Sequence, residues 1–378
     1  MTLAIDLPGR GIIRSWGKPA AMTANASGTT FPGPEWDRAD PAELGFDPDR
    51  LEDARVELED VAIDPAADPR GSTAMEQNAY RVIVVRDGHI VAEWNNDIAP
   101  GERRGIASAS KSVFSCILAI AVAEGTIASA DVKLGTLFPE ALDILPGEGP
   151  KEGRHARSKD REITLRQLIA NTSGYLKPGE PPGHVKHYQT FGMNVLTHAI
   201  ASAYDLYDPT DPEQRPGFEL LMDTRLRIPM RGSWGYAAKN FEYPEGAQSG
   251  HFGYFRVLRA SARDMARLGW LWANYGFWEG EQLVPEAWMR EGVEVVPAER
   301  EADPERNMLE TYGLGFWTNA EGALWPSLPT DSFAALGAGG HVIWACPSRD
   351  LVVVEGPGPF YRDAIDEHLV PTVLAALE

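Results

Sequence analysis

Residues 108–125 read SASKSVFSCILAIAVAEG, and the rest of the chain is best interpreted outward from this stretch. After Lys111 the stretch is mostly apolar up to Ala123, and Gly125 closes it. A proline-free apolar run of this kind predicts a buried α-helix from Ser110 to about Glu124, stopped by the glycine. Because Ser108 lies three residues before Lys111, both side chains fall on the same side of a helical turn.

The pairing of Ser108 with Lys111 is suited to nucleophilic catalysis. A lysine that enters an apolar helix is partly desolvated, which lowers its pKa and lets it take a proton from a nearby hydroxyl. The first N–H groups of the helix can stabilise a developing oxyanion beside the serine. In a purely structural interpretation, Ser108 caps the helix and Lys111 extends to solvent. A second Ser-x-x-Lys, from Ser15 to Lys18, runs into proline, where a helix begins poorly.

Strand patterns occur at both ends of the sequence. Residues 80–86 and 89–94 flank Asp87-Gly88, a dipeptide typical of the type I′ turn of a β-hairpin. Residues 342–346 and 351–355 flank a second turn. Strand pairs near both termini, with helical sequence between them, predict an α+β fold, in which an antiparallel sheet is built from the N- and C-terminal segments and flanked by helices.

The same patterns predict the domain organisation. Residues 1–45 are rich in proline, glycine, serine and threonine and predict an extended N-terminal arm. Residues 46–378 predict a single domain, in which a mostly helical subdomain at about 110–230 is inserted in the α/β part. This domain is expected to begin with a helix near Asp47, the N-cap residue, and to end with a helix from about Tyr361 to Leu377.

The charge balance disfavours two classes of partner. With 35 Lys and Arg against 55 Asp and Glu, the formal net charge is −20. This argues against nucleic acids, whose binding depends on clustered basic residues, and against anionic membranes. No stretch approaches the ~20 apolar residues of a membrane span, and the N-terminus lacks a signal-peptide pattern. A cytoplasmic location is therefore expected.

Metal and cofactor motifs are missing from the sequence. It contains no His-Glu-x-x-His, P-loop or EF-hand pattern, and Gly337-Ala-Gly-Gly precedes a strand, where a dinucleotide fingerprint would open a helix. His184 and His187 lie in a loop rich in proline and glycine and do not predict a metal site. Cys116 and Cys346 lie in apolar runs and are expected to be buried free thiols. We predict no cofactor and no metal.

Several motifs, in order along the chain, resemble one protein family. Ser108-x-x-Lys111, followed by an apolar helix ending in Ala-Glu-Gly, resembles the serine β-lactamase and penicillin-binding superfamily. More narrowly, the chain resembles the class C β-lactamase-related esterases, D-aminopeptidases and 6-aminohexanoate-dimer hydrolases, from about Tyr80 to Val354. The other family-like segments are Ile163–Gly174, Pro182–Tyr188, Ile228–Trp234, Ser261–Gly269 and Gly280–Trp288. The fold implied is β-lactamase/transpeptidase-like, with the active site in the cleft between the sheet and the helical subdomain.

The resemblance assigns roles to individual residues. It implies that Ser108 is the nucleophile, Lys111 its activating partner and Tyr188 a second base. Tyr188 would act as a phenolate or proton shuttle, because nearby positive charge lowers the pKa of a tyrosine. Thr190 stands where the family's Tyr-x-Asn motif has asparagine, and it can still donate one hydrogen bond to a substrate.

The family's Lys-Thr-Gly motif corresponds here to Gly337–His341, which contains no lysine. The amide of Ala338 or Gly339 is expected to complete the oxyanion hole with that of Ser108. A cation that recognises a carboxylate is missing unless His341 or a distant arginine replaces it. Neutral esters are therefore expected to be better substrates than penicillins or cephalosporins.

The function implied is a serine hydrolase that cleaves a small-molecule ester or amide through an acyl-enzyme intermediate. Two alternatives stay open: a β-lactamase or D,D-peptidase, and a non-hydrolytic module of the same fold that binds a ligand or is acylated without turnover. The loops at 140–162, 174–187 and 205–216 are expected to shape the substrate pocket.

Overall fold

A six-stranded antiparallel sheet joins the two ends of the chain in the computed structural model. The structure describes residues 29–60, 79–208, 217–239, 255–359 and 365–377. In chain order the strands are β1 (Tyr80–Arg86), β2 (His89–Asn96), β3 (Arg104–Gly105), β4 (Val185–Lys186), β5 (Gly235–Lys239), β6 (Phe255–Ala260), β7 (Phe277–Trp278), β8 (Glu281–Gln282), β9 (Arg300–Glu301), β10 (Trp317–Thr318), β11 (Phe333–Gly337), β12 (His341–Cys346) and β13 (Leu351–Glu355). The order of strands in the six-stranded sheet is β10-β11-β12-β13-β1-β2.

Both predicted hairpins are present and pair with each other. Asp87 and Gly88 have φ values of 49° and 81°, the positive values that a type I′ turn requires. The C-terminal strand β13 lies between β12 and β1, and Glu355 is paired with both Val342 and Val82. The antiparallel sheet therefore contains strands from both the N-terminal and the C-terminal segments, and the predicted α+β fold class is confirmed.

The predicted helices near Asp47 and after Ser110 are present, and the C-terminal helix is shorter than predicted. In chain order they are α1 (Pro48–Asp60), α2 (Ser110–Ala123), α3 (Leu134–Leu137), α4 (Leu165–Ile169), α5 (Phe191–Ala203), α6 (Phe218–Met222), α7 (Ala262–Ala273), α8 (Glu286–Gly292) and α9 (Val370–Ala375). The Asp47 carboxylate caps α1 by accepting hydrogen bonds from two backbone N–H groups. The final helix is shorter than the predicted 361–377, because Pro371 favours a start at the first turn of α9. Residues 360–364 lie outside the described part.

Each face of the sheet packs against a different set of helices. Along β1, Ile83 and Val85 face the larger core, which contains α2 and α7, while Val82 and Val84 face a second core with α1 and α9. This period of two follows from the alternation of side chains along a strand. Helix α7 lies close to the sheet, because a Cβ on Gly269 would be 2.5 Å from a methyl group of Val352.

The predicted N-terminal arm is described only from residue 29 onward. There, the backbone carbonyl of Thr30 accepts a hydrogen bond from the indole of Trp270, and Arg267 donates to the carbonyls of Gly33 and Pro34. Residues 29–34 are thus attached to helix α7. The remainder of the arm, including Ser15 and Lys18, lies outside the described residues.

Two other sequence predictions concern the cysteines and membrane-spanning segments. Cys116 and Cys346 are both buried and form no disulfide, as predicted. Across the parts of the chain that the structure describes, no helix is both long enough and apolar enough to cross a membrane.

Candidate active site

Ser108 and Lys111 lie together where the chain enters helix α2. Ser108 is in a 3₁₀ turn, Ala107–Ala109, and the lysine is in the first turn of α2. The distance from Lys111 Nζ to Ser108 Oγ is 2.7 Å, a hydrogen bond. Ala107 has a φ of 47°, an uncommon conformation for a residue with a side chain, of a kind that clusters at functional sites. The turn thus places the serine hydroxyl beside the free N–H groups of a helix start.

Lys111 is buried, with 1% of its surface exposed. Burial, together with the smaller effect of the positive charge of Arg306, lowers its pKa from 10.5 to about 7. Close to neutral pH, the lysine is therefore present in both protonation states. This is the range in which an amine can accept a proton and later return it.

Tyr188 is the third member of the cluster. Its hydroxyl interacts with the side chain of Ser108, and Lys111 Nζ lies 4.7 Å from the centre of its ring. The ring stacks on Trp317 at 6.1 Å and meets the edge of Tyr312 at 6.0 Å. Aromatic contacts on two sides hold the hydroxyl next to the serine. The structure therefore brings together the three residues that the sequence singled out.

The expected direction of the Tyr188 pKa is wrong. Burial raises it above the ordinary value of 10, although the interaction with Ser108 and the charge of Arg306 act in the opposite direction. The neighbouring lysine on the chain, Lys186, does not act on the hydroxyl. Its Nζ donates to the carbonyls of Met308 and Tyr312 at 3.0 and 2.5 Å. Tyr188 is consequently a neutral phenol. Lys186 instead binds the backbone of the segment that contains Tyr312, and the Tyr188 ring packs against Tyr312.

Strand β11 crosses directly behind the start of helix α2. A Cβ on Gly337 would lie 2.1 Å from the carbonyl oxygen of Ile106 and 3.1 Å from the backbone nitrogen of Ala109. Only glycine permits this close approach. Ala338 and Gly339 follow in the turn between β11 and β12, and Ala338 is exposed. The role of their backbone amides as hydrogen-bond donors in the oxyanion hole stays a prediction.

His341 does not supply the missing positive charge. It is 3% exposed, and burial together with the charges of Arg81 and Arg104 lowers its pKa to about 3. The residue begins β12 and shares the parity of Ile343, so its side chain faces the larger core. A buried neutral imidazole cannot bind a carboxylate as a cation, and His341 does not line the cleft described below.

A distant arginine, Arg306, provides a cation instead. It lies in a short 3₁₀ helix, Pro304–Arg306, and its guanidinium lies 5.1 Å from the centre of the Tyr188 ring. Its Nε is 3.0 Å from the carboxylate of Asp303. The sequence showed only a polar loop at these positions, and no motif in it pointed to the site. Because Arg306 is a distant arginine beside the cluster, the expected preference for neutral esters over penicillins and cephalosporins loses its premise.

A cleft of about 700 Å³ opens beside the cluster. Thr190, at the N-terminus of α5, lines this cleft. Two of the three loops expected to shape the pocket contribute to its walls, and most of the third, 209–216, lies outside the described residues. The lining residues are Pro150, Lys151, Arg154, Tyr175, Leu176, Lys177, His187, Tyr188, Gln189, Thr190, Phe191 and Arg306.

The described residues offer no metal centre. Within those ranges, no group of three or more His, Cys, Asp or Glu side chains is arranged to hold a metal ion.

Residues 72–354 match the Beta-lactamase family, and the chain therefore belongs to it. Among curated proteins, none matches the sequence significantly. Solved structures share the fold. A beta-lactamase from Mycobacterium bovis is 18% identical, with a TM-score of 0.54 over 79% of this chain and 95% of that one. A penicillin-binding protein homologue from Caulobacter crescentus is 15% identical, with a TM-score of 0.59 over 88% and 99%. EstCE1, a hydrolase with promiscuous acyltransferase activity, is 12% identical, with a TM-score of 0.57 over 89% and 98%.

Proposed function

We propose that this protein is a serine hydrolase that cleaves a small ester or amide through an acyl-enzyme intermediate. The observation that carries the proposal is the contact between Lys111 Nζ and Ser108 Oγ at 2.7 Å. Burial lowers the pKa of this lysine to about 7, so a neutral amine is available beside the hydroxyl at neutral pH. Membership of the Beta-lactamase family and the fold shared with hydrolases support the same reading.

The proposed reaction begins with proton transfer from Ser108 to neutral Lys111 as the serine oxygen attacks the carbonyl carbon. The oxyanion accepts hydrogen bonds from the amide of Ser108 and from that of Ala338 or Gly339. Tyr188, a neutral phenol beside the serine, passes a proton to the leaving group and is reprotonated from the Lys111 ammonium. Water then attacks the acyl-enzyme, and the same groups return the proton to Ser108.

The proposal is tested by following an acyl group on the protein. With 4-nitrophenyl acetate, we expect a burst of nitrophenolate followed by steady turnover, and an acetyl adduct on Ser108 detected by mass spectrometry after acid quench. Turnover without any adduct on Ser108, in a burst experiment that resolves a single turnover, would contradict the covalent mechanism. Labelling without turnover would favour the non-hydrolytic alternative.

A β-lactamase or D,D-peptidase is the second candidate, and Arg306 favours it. Its guanidinium beside Tyr188 is a cation that could bind the carboxylate of a β-lactam or peptide. Comparing kcat/KM for nitrocefin with that for a short nitrophenyl ester separates the two candidates. A ratio well above one would promote the β-lactamase, while a ratio well below one supports the esterase or amidase.

Replacing Tyr188 with phenylalanine is expected to reduce kcat by roughly a hundred- to ten-thousandfold, the usual contribution of a positioned proton donor. The phenylalanine ring keeps the contacts with Trp317 and Tyr312, so the melting temperature should change little. Tyr204→Phe is the matched control, since its hydroxyl bonds Glu124 outside the cleft. Tyr188→Phe with kcat within threefold of wild type would remove Tyr188 from the mechanism.

A further inference from the structure

Lys186 is a buried lysine that the proposed reaction does not use. It lies in β4, two residues before Tyr188, and none of its surface is exposed. Burial lowers its pKa from 10.5 to about 7, although the nearby charge of Glu301 acts in the opposite direction. Because burying an amine costs free energy unless hydrogen bonds replace its contacts with water, the place of this lysine depends on the groups that it binds.

The Lys186 amine binds two carbonyl groups of one segment. Its Nζ donates to the carbonyl of Met308 at 3.0 Å and to that of Tyr312 at 2.5 Å. An ammonium has three N–H donors and a neutral amine keeps two, so both bonds can persist when the lysine titrates. One side chain therefore fixes the backbone of the segment at both of these residues.

Glu301 fixes the same segment from its other side. Strand β4 pairs in parallel with β9, where Lys186 is the partner of Glu301. The Glu301 carboxylate accepts a hydrogen bond from the backbone N–H of Met308. The chain between these two residues includes Arg306, which lies in the short 3₁₀ helix described above. Lys186 and Glu301 together thus close a loop, residues 301–312, that carries Arg306.

The 301–312 loop brings two groups to Tyr188. The guanidinium of Arg306 lies 5.1 Å from the centre of the Tyr188 ring, and Tyr312 meets the same ring edge-on at 6.0 Å. The positive charge of Arg306 also lowers the pKa of Lys111. Because the energy between two charges depends on their distance, this effect on Lys111 requires the loop to stay in place.

We propose that Lys186 is a positioning residue of the hydrolase: by binding the backbone of the 301–312 loop, it holds Arg306 and Tyr312 against Tyr188. This inference rests on the proposed function and adds to it a residue outside the cleft. Lys186 is not among the residues that line the cleft, so it acts through the loop and not on the substrate. The alternative is that Lys186 contributes to stability alone.

Lys186→Met removes both hydrogen bonds and nearly keeps the length of the side chain. With 4-nitrophenyl acetate, we expect kcat/KM to fall roughly ten- to a hundredfold, the scale of loss when groups around the reacting atoms are displaced by about 1 Å. The acidic limb of the pH profile of kcat/KM, which should reflect the protonation of Lys111, is expected to move to higher pH. The displaced Arg306 would no longer disfavour the Lys111 ammonium, so the pKa of Lys111 would rise.

The double variant Lys186→Met/Arg306→Gln separates positioning from a general loss of packing. If Lys186 acts by holding Arg306, the limb moves upward by the same amount in both single variants and in the double variant, since each removes the same charge effect. Val373→Ala is the control for stability, because this buried residue lies in helix α9, which packs against α1. It should lower the melting temperature without moving the limb.

Two variants of Glu301 decide the proposal if Lys186→Met does not fold. Glu301→Gln keeps an oxygen that can accept from the N–H of Met308, and it is expected to leave the limb in place. Glu301→Ala removes the acceptor and should move the limb upward as Arg306→Gln does. A limb that stays in place in Glu301→Ala would then overturn the proposal.

The outcomes separate the positioning role from the function. A limb that is unchanged in Lys186→Met or in Arg306→Gln, or shifts that add in the double variant, would overturn the positioning role and leave the serine hydrolase intact. Failure of the proposed function has a different signature, namely wild-type turnover without an acetyl adduct on Ser108.

Discussion

Ser108→Ala is expected to lower kcat/KM for a 4-nitrophenyl ester by at least about a thousandfold, the scale of loss when a covalent nucleophile is removed. The serine oxygen is the atom that forms the acyl bond in the proposed mechanism, and it lies beside Lys111 and Tyr188. The side chain is small and partly exposed, so we expect the melting temperature to stay within a few degrees of wild type.

The control for this variant is Ser15→Ala, in the second Ser-x-x-Lys of the sequence. It should retain wild-type activity and fluorophosphonate labelling, whereas Ser108→Ala should lose both. Residual activity above a few per cent in a clean preparation of Ser108→Ala would exclude this nucleophile. Loss of activity in Ser15→Ala would show that the nucleophile belongs to the Ser15 motif and not to the Ser108 motif.

Lys111→Met and Lys111→Arg are both expected to reduce kcat by several orders of magnitude, because neither side chain can accept the serine proton. Arginine stays protonated at any usable pH, so it preserves the charge and removes the base. Lys133→Arg serves as a control for the substitution itself, since that lysine is half exposed and forms a surface ion pair. Activity restored by Lys111→Arg would mean that Lys111 acts only as a fixed charge.

The pH dependence of wild-type activity should reflect the protonation state of Lys111. Burial lowers the pKa of Lys111 to about 7, and the lysine must be neutral to accept a proton from Ser108. Activity should therefore rise with pH through about 7 and reach a plateau above it, with about 1% of the base form left two units lower. An acidic limb centred near the ordinary lysine pKa would contradict burial as its cause. The limb should shift upward in Arg306→Gln, which removes a charge that disfavours the ammonium.

Local patterns were sufficient to predict the elements that carry the site. Helix α2 was visible because its apolar run is long and ends in glycine, and the hairpin at Asp87-Gly88 because only a few residue pairs suit that turn. Ser108 and Lys111 are three residues apart, so their contact follows from helical geometry alone. The final helix was predicted too long, because the spacing of apolar residues does not show at which residue a helix begins.

Contacts between distant segments were beyond any such pattern. Arg306 comes from a loop without a motif, and its charge matters only because folding places it beside Tyr188. The pKa of Tyr188 was predicted in the wrong direction, since the sequence shows a neighbouring lysine but not the aromatic residues that bury the phenol. His341 was a candidate for the missing cation, and only the folded structure, which buries it and lowers its pKa to about 3, excludes that role. Short-range geometry is encoded residue by residue, whereas burial and electric field depend on every segment that packs around a group.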